Sequence, residues 1–124
     1  WRRLADAAAG DANPLRALMA DPAAVNPWLA RWQARCARDD AGLEPAAAGA
    51  ARARAMRAAS PALIPRNHRV EEALAAASEH GDLTLFDRLL AALQRPFDDD
   101  PARAHLAEPA PAQLTAGYQT FCGT

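Results

Sequence analysis

The chain is predicted to be all-α, and three observations predict it. Capping-type residues precede proline at Asn13-Pro14, Asn26-Pro27 and Glu44-Pro45, the order in which a helix takes its N-cap and first turn. Apolar residues recur at helical spacing through the middle of the chain. Alanine dominates a composition that is helix-friendly from the first position.

Residues 1–9 read as a helix stopped by Gly10. Over 25–38, Val25, Trp28, Leu29, Trp32 and Cys36 share one face and Arg31, Arg35 and Arg38 another, an amphipathic helix with an aromatic stripe. Pro45 opens a third helix, 45–59, on which Ala48, Ala51, Ala55 and Ala59 form a small-residue face; Gly49 counts against this element. Pro61 and Pro65, four apart, forbid a continuous helix, so Leu63 and Ile64 belong to a packed, extended connector. A helix from Asn67 to Glu79, with Val70, Leu74 and Ala77 inward, and one from Leu83 to Leu93, with Leu83, Phe86, Leu89, Leu90 and Leu93 inward, form an αα-hairpin across His80-Gly81-Asp82. Leu74, Phe86 and Leu90 are expected to be buried in it. From Arg95 the helical pattern ends. Asp98-Asp99-Asp100-Pro101 is a solvated break that can cap a short turn, and Pro109-Ala110-Pro111 is extended. The expected organisation is a helical segment of about three short helices (1–60), a Pro-bounded connector with the hairpin (61–94), and an extended acidic tail ending in a cysteine motif (95–124).

The 124 residues suffice for one domain with a modest core. The chain begins at Trp1 without a signal-peptide pattern, and is expected to be a piece of a longer protein. All fourteen basic residues are arginine, and the formal net charge of -1 gives no case for nucleic acid as a partner. Nine arginines stand against six acids in 1–60, and one against four in 98–124, so the tail suits a basic surface. No apolar run approaches the ~20 residues of a membrane span. Two cysteines make no disulfide framework, and a reducing cytoplasmic setting is the expectation.

No catalytic residue, cofactor-binding residue or metal ligand is assigned within this chain. His68, His80 and His105 lack mutual ligand spacing, and no Gly-rich phosphate loop, nucleophile elbow or metalloprotease helix occurs. Four residues stand out. Cys122, third from the end beside Tyr118 and Phe121, is a redox candidate, because an accessible thiol can titrate and oxidise. Cys36, on the tryptophan face, reads as a buried structural cysteine. Arg66 and Asn67 follow the proline-bounded connector at the mouth of a helix. Arginine there can bind a carboxylate or carbonyls, or simply orient the connector, and the second role is preferred.

The stretch Met56-Arg57, Pro61-Ala62-Leu63-Ile64-Pro65-Arg66-Asn67-His68, Val70-Glu71-Glu72-Ala73-Leu74, Gly81-Asp82-Leu83, Phe86, Leu89-Leu90 and Pro96-Phe97-Asp98 resembles, in order, the C-terminal region of the selenoprotein O family, the kinase-like protein adenylyltransferases. The ending Gly117-Tyr118-Gln119-Thr120-Phe121-Cys122 is similar to that family's terminus. The resemblance covers nearly the whole chain and implies a parent with a protein-kinase-like fold that binds ATP inverted and, with Mg²⁺, transfers AMP to hydroxyl side chains of protein substrates. The family's nucleotide pocket and metal ligands lie upstream of this region, so none transfers to these residues. The position matching Cys122 is selenocysteine in some members, which implies a redox role. Ser60 in place of asparagine and Phe97 in place of tyrosine are mild departures; Gln119 in place of a partner cysteine means that any disulfide needs a distant thiol. The expected job of this segment is to brace the kinase-like core and to present Cys122. A helical protein-interaction module without an enzymatic parent is the alternative, distinguished by whether a kinase-like domain is encoded upstream.

Cys122 is expected to react with maleimide faster than Cys36, since access sets the thiolate's rate. Equal labelling of the two, read by mass spectrometry, would remove the argument from exposure.

Overall fold

A computed structural model describes residues 1–116, and every regular element among them is helical. Tyr118, Phe121 and Cys122 lie outside the described residues. The chain divides into two compact units, Trp1–Ser60 and the residues from Pro61 on.

The first unit holds α1 (Arg2–Ala8), α2 (Asn13–Arg16), α3 (Asn26–Asp39) and α4 (Pro45–Ala59). Proline occupies the first turn of α2, α3 and α4. Glu44 caps α4: its carboxylate accepts from the amides of Ala47 (2.7 Å) and Ala46 (3.1 Å). These two bonds, that to Ala47 foremost, hold the carboxyl below its ordinary range. The core of the unit is Leu4, Ala7, Ala12 and Leu29, with Leu15, Trp32 and Met56 packed against it. Trp28 and Trp32 stack with centroids 6.1 Å apart and planes 6° from parallel. Leu29 and not Trp28 is the buried member of the stripe.

α4 packs on α1 through a different face from the one its alanines predict. Ala48 and Ala53 are buried, whereas Ala51, Ala55 and Ala59 are exposed. A run of alanines carries no periodicity of its own, so the face is chosen by the residue that permits the closest approach. That residue is Gly49: a Cβ there would lie 2.5 Å from the carbonyl oxygen of Ala8. The glycine that weakens α4 as a sequence is what lets it dock. Polar groups then fasten the contact. Arg57 pairs with Asp6, and the Arg2 guanidinium donates to the carbonyls of Ser60 (3.1 Å) and Arg57 (3.4 Å).

The second unit holds α5 (Asn67–His80), α6 (Thr84–Leu93), a 3₁₀ turn (Pro101–Arg103), α7 (Ala104–Ala107) and α8 (Ala112–Thr115). The connector is pinned by its backbone: the carbonyl of Pro96 accepts from the amides of Ala62 (2.7 Å) and Leu63 (3.1 Å). Leu63 is buried there, while Ile64 faces solvent. α5 ends at Gly81, whose left-handed conformation (φ 67°) lets the amides of Gly81 and Asp82 donate back to Ala77 and Ala76, each at 3.1 Å. Asp82 accepts from the amide of Thr84 (2.9 Å) and opens α6.

α5 and α6 pack together, but their buried residues are Ala73, Leu89 and Ala92. Leu74, Phe86 and Leu90, expected inside, are 56%, 42% and 43% exposed. Small Ala73 sits at the contact, and the larger side chains are displaced to its flank. The stretch after Arg95 also departs from the extended tail that was expected. Asp100 accepts from the amide of Ala102 (3.0 Å) ahead of Pro101, a cap followed by proline at the first turn. The turn it starts runs on into α7, and α8 follows Pro111.

Gly49→Ala is expected to destabilise the first unit. At an open helix site the change would gain about 1 kcal/mol; against the fixed Ala8 carbonyl it costs on the order of 1–3 kcal/mol as overpacking. Chemical denaturation measures it, and a stabilised variant would mean that α1 does not approach α4 this closely.

Candidate functional site

Arg66 is placed by the end of the connector, in extended backbone (φ -98°, ψ 125°) immediately before α5. Its Nε donates to the carbonyl of Ala107 at 2.9 Å, so the residue that opens α5 also ties down the end of α7. Asn67 is the first residue of α5 and is exposed. Both line a cavity of about 710 Å³ with Pro65, His68, Leu114 and Thr115. Arginine here is partnered by a backbone carbonyl, a geometry that orients the chain.

A second cavity, of about 460 Å³, is lined by α5, α6 and the turn that runs into α7. Arg69, Arg88, Arg103 and His105 line it together with Glu72, over a floor that includes Leu89. Two of its arginines are internally neutralised: Arg69 pairs with Glu72 at 2.9 Å and Arg103 with Asp100 at 2.9 Å. In the first unit a cavity of about 430 Å³ is lined by Trp32, Cys36, Asp40 and Arg52 among others. Cys36 is half-buried and carries a free thiol. Arg52 donates to Asp40 at 2.7 Å across the turn from α3 to α4.

The structure does not gather the histidines. His68 lines the first cavity and His105 the second. His80 is exposed at the end of α5, with Glu79 3.9 Å away. Among the described residues no group of three or more His, Cys, Asp or Glu side chains is placed to hold a metal ion. In the arginine stripe of α3, Arg35 is paired with Asp39 at 2.8 Å. Cys122 lies outside the described residues. The long-range pairs Asp6–Arg57 and Asp40–Arg52 were not found from the sequence, since nothing local links residues 51 or 12 positions apart. No helix among the described residues is long and apolar enough to cross a membrane.

Arg66→Ala is expected to cost about 0.5–1.5 kcal/mol for the lost hydrogen bond and to speed amide exchange over residues 101–107. Asn67→Ala should leave that segment unchanged. Unaltered exchange in Arg66→Ala would remove the tie as a structural element.

No protein-family model matches the chain, and no solved structure matches it. Curated proteins do. The chain is 50% identical over 125 residues to a protein nucleotidyltransferase YdiU of Bradyrhizobium sp., which covers 100% of this chain and 24% of the relative. It is 48% identical over 124 residues to the protein of that name from Chromobacterium violaceum, with 25% of the relative covered, and 50% identical to that from Cereibacter sphaeroides, with 23% covered. The chain thus spans about a quarter of the length of the curated relatives it matches. Identity of about 50% over the whole length of the chain means that it belongs to the selenoprotein O family and corresponds to the C-terminal region of its members.

Proposed function

We propose that this chain is the non-catalytic C-terminal helical region of a protein adenylyltransferase, which braces the kinase-like core and carries a redox-active cysteine, Cys122. The observation that carries the reading is the identity of about 50% over the whole chain to proteins named protein nucleotidyltransferase. In the proposed reaction a hydroxyl oxygen of a protein substrate attacks the α-phosphorus of ATP. The α–β phosphoanhydride bond breaks, pyrophosphate leaves, and the hydroxyl proton passes to a base. Mg²⁺ would neutralise phosphate charge in that step, held by residues upstream of this chain, as the resemblance to the family implies. The bracing role is supported by the construction of both units. Their ties are arginine to backbone carbonyl and arginine to carboxylate, contacts that fix geometry.

The redox part of the proposal places Cys122 in a reversible disulfide with a cysteine of the kinase-like core. Two thiols lose two protons and two electrons to an oxidant of the peroxide or disulfide class as the S–S bond forms. The tail would then be tied down under oxidising conditions.

The test is made on the full-length protein. Radiolabel from the α-phosphate of ATP, and none from the γ-phosphate, is expected to remain on protein hydroxyls, while residues 1–124 alone bind no Mg-ATP in calorimetry. Retention of γ-label would replace AMP transfer by phosphoryl transfer. For the thiol, mass spectrometry of the oxidised protein should show a Cys122 crosslink that is absent in Cys122→Ser; a wild-type protein without it sinks the switch.

A further inference from the structure

The second unit has an apolar groove that none of its described residues covers. Pro65, Val70 and Leu74 line one side, and Phe86, Leu90 and Leu93 the other, with Ala73 and Leu89 at the bottom, around a cavity of about 220 Å³. Among the described residues, none that lines it is charged. Large exposed side chains at Leu74, Phe86 and Leu90 form a contiguous patch on two packed helices, unlike single exposed leucines, which need no explanation. The second unit's own buried residues are few, two leucines and two alanines among those described: Leu63, Ala73, Leu89 and Ala92. Its largest side chains therefore contribute little to its own core. A solvent-facing helix flank normally carries charge, and α5 and α6 do so elsewhere, with Arg69, Glu72 and Arg88 on the flank that lines the neighbouring cavity. The apolar flank is thus a second docking face of the same helices.

We infer that this groove is filled, in the complete protein, by an apolar segment of the same polypeptide lying outside residues 1–124. The inference rests on the reading that this chain is one part of a longer nucleotidyltransferase. Three-quarters of the length of each relative lies outside the matched region, so an intramolecular partner of ample size exists. It acts at high effective concentration and without the entropic loss of a bimolecular encounter. The lining sets its chemistry: aliphatic or aromatic side chains, since a charged or amide group would be desolvated there without a partner.

The experiment places a benzophenone photocrosslinker on the ring at Phe86 in the full-length protein and maps the adduct by mass spectrometry. An intramolecular adduct to a peptide outside residues 1–124 is expected. An adduct to residues 117–124, to residues 1–60 or to a second copy overturns the inference. Hydroxyl-radical oxidation of the unsubstituted protein guards against a misfolded variant: the Phe86 ring should oxidise about tenfold more slowly in the native than in the denatured protein, as expected of a buried group. Equal rates overturn the inference. AMP transfer assayed on the same preparation is a separate readout. Transfer by a protein with an open groove defeats only the docking, and a filled groove without transfer defeats only the activity.

Discussion

The carbonyl oxygen of Ala8 occupies the place where a side chain on residue 49 would begin. This one steric fact fixes how α4 lies on α1, and the rest of the first unit follows from it. With the backbones this close, the contact can be made by alanines, and Ala48 and Ala53 are buried where leucines would not fit. The small apolar area gained, at about 25 cal/mol per Å², is a weak hold for a helix of fifteen residues. Directional groups supplement it. Asp6 with Arg57 and Arg2 with the carbonyls of Arg57 and Ser60 fasten α1 to the far end of α4, while Asp40 with Arg52 fastens the end of α3 to its middle. All these groups are partly exposed, so each ion pair contributes on the order of 0–1 kcal/mol. Their importance lies in setting the direction of approach that the small side chains leave open.

The second unit solves a similar shortage with backbone acceptors. Pro61 and Pro65 keep the connector out of a helix, so its free amides need partners elsewhere. Ala62 and Leu63 find one in Pro96, beyond α6, and Arg66 reaches a second carbonyl at Ala107. A six-residue strap thereby holds both the end of α6 and the end of α7. The proline-bounded motif in the sequence is an organiser of the chain that follows it.

Caps and breaks were legible because their chemistry is local. Glu44-Pro45, Gly81 and Asp82 each act where the residue type dictates, within one or two positions of the expected boundary. The choice of buried face was less legible, for two physical reasons. In α4 the alanines give no hydrophobic period, and a glycine's contact with another helix decides. In α5 and α6 the pattern correctly marks an apolar flank at Leu74, Phe86 and Leu90, but apolarity does not say what the flank meets. The Asp100-Pro101 turn belongs with the legible caps: the acidic run reads as a solvated break that can cap a short turn, and Asp100 is that cap. Of the candidate site residues, Arg66 was legible as a positioned arginine from its place after the connector, while its acceptor, 41 residues on, was not.

These features bear on what kind of object the chain is. A self-sufficient domain of this size hides its largest apolar side chains and exposes its smallest. Here the ranking is reversed: alanines form most of the buried set, while Trp1, Trp28, Leu74, Phe86 and Phe97 are among the exposed. Burying a Phe or Leu side chain contributes about 1.5–3 kcal/mol, so a surface built this way forgoes its largest source of stability unless something else supplies the cover. The relatives are about four times as long as the match, and under the function proposed above the rest of such a chain supplies that cover. The polar ties within each unit then have a definite role. They hold the helices of each unit in register where the apolar contact between them is small.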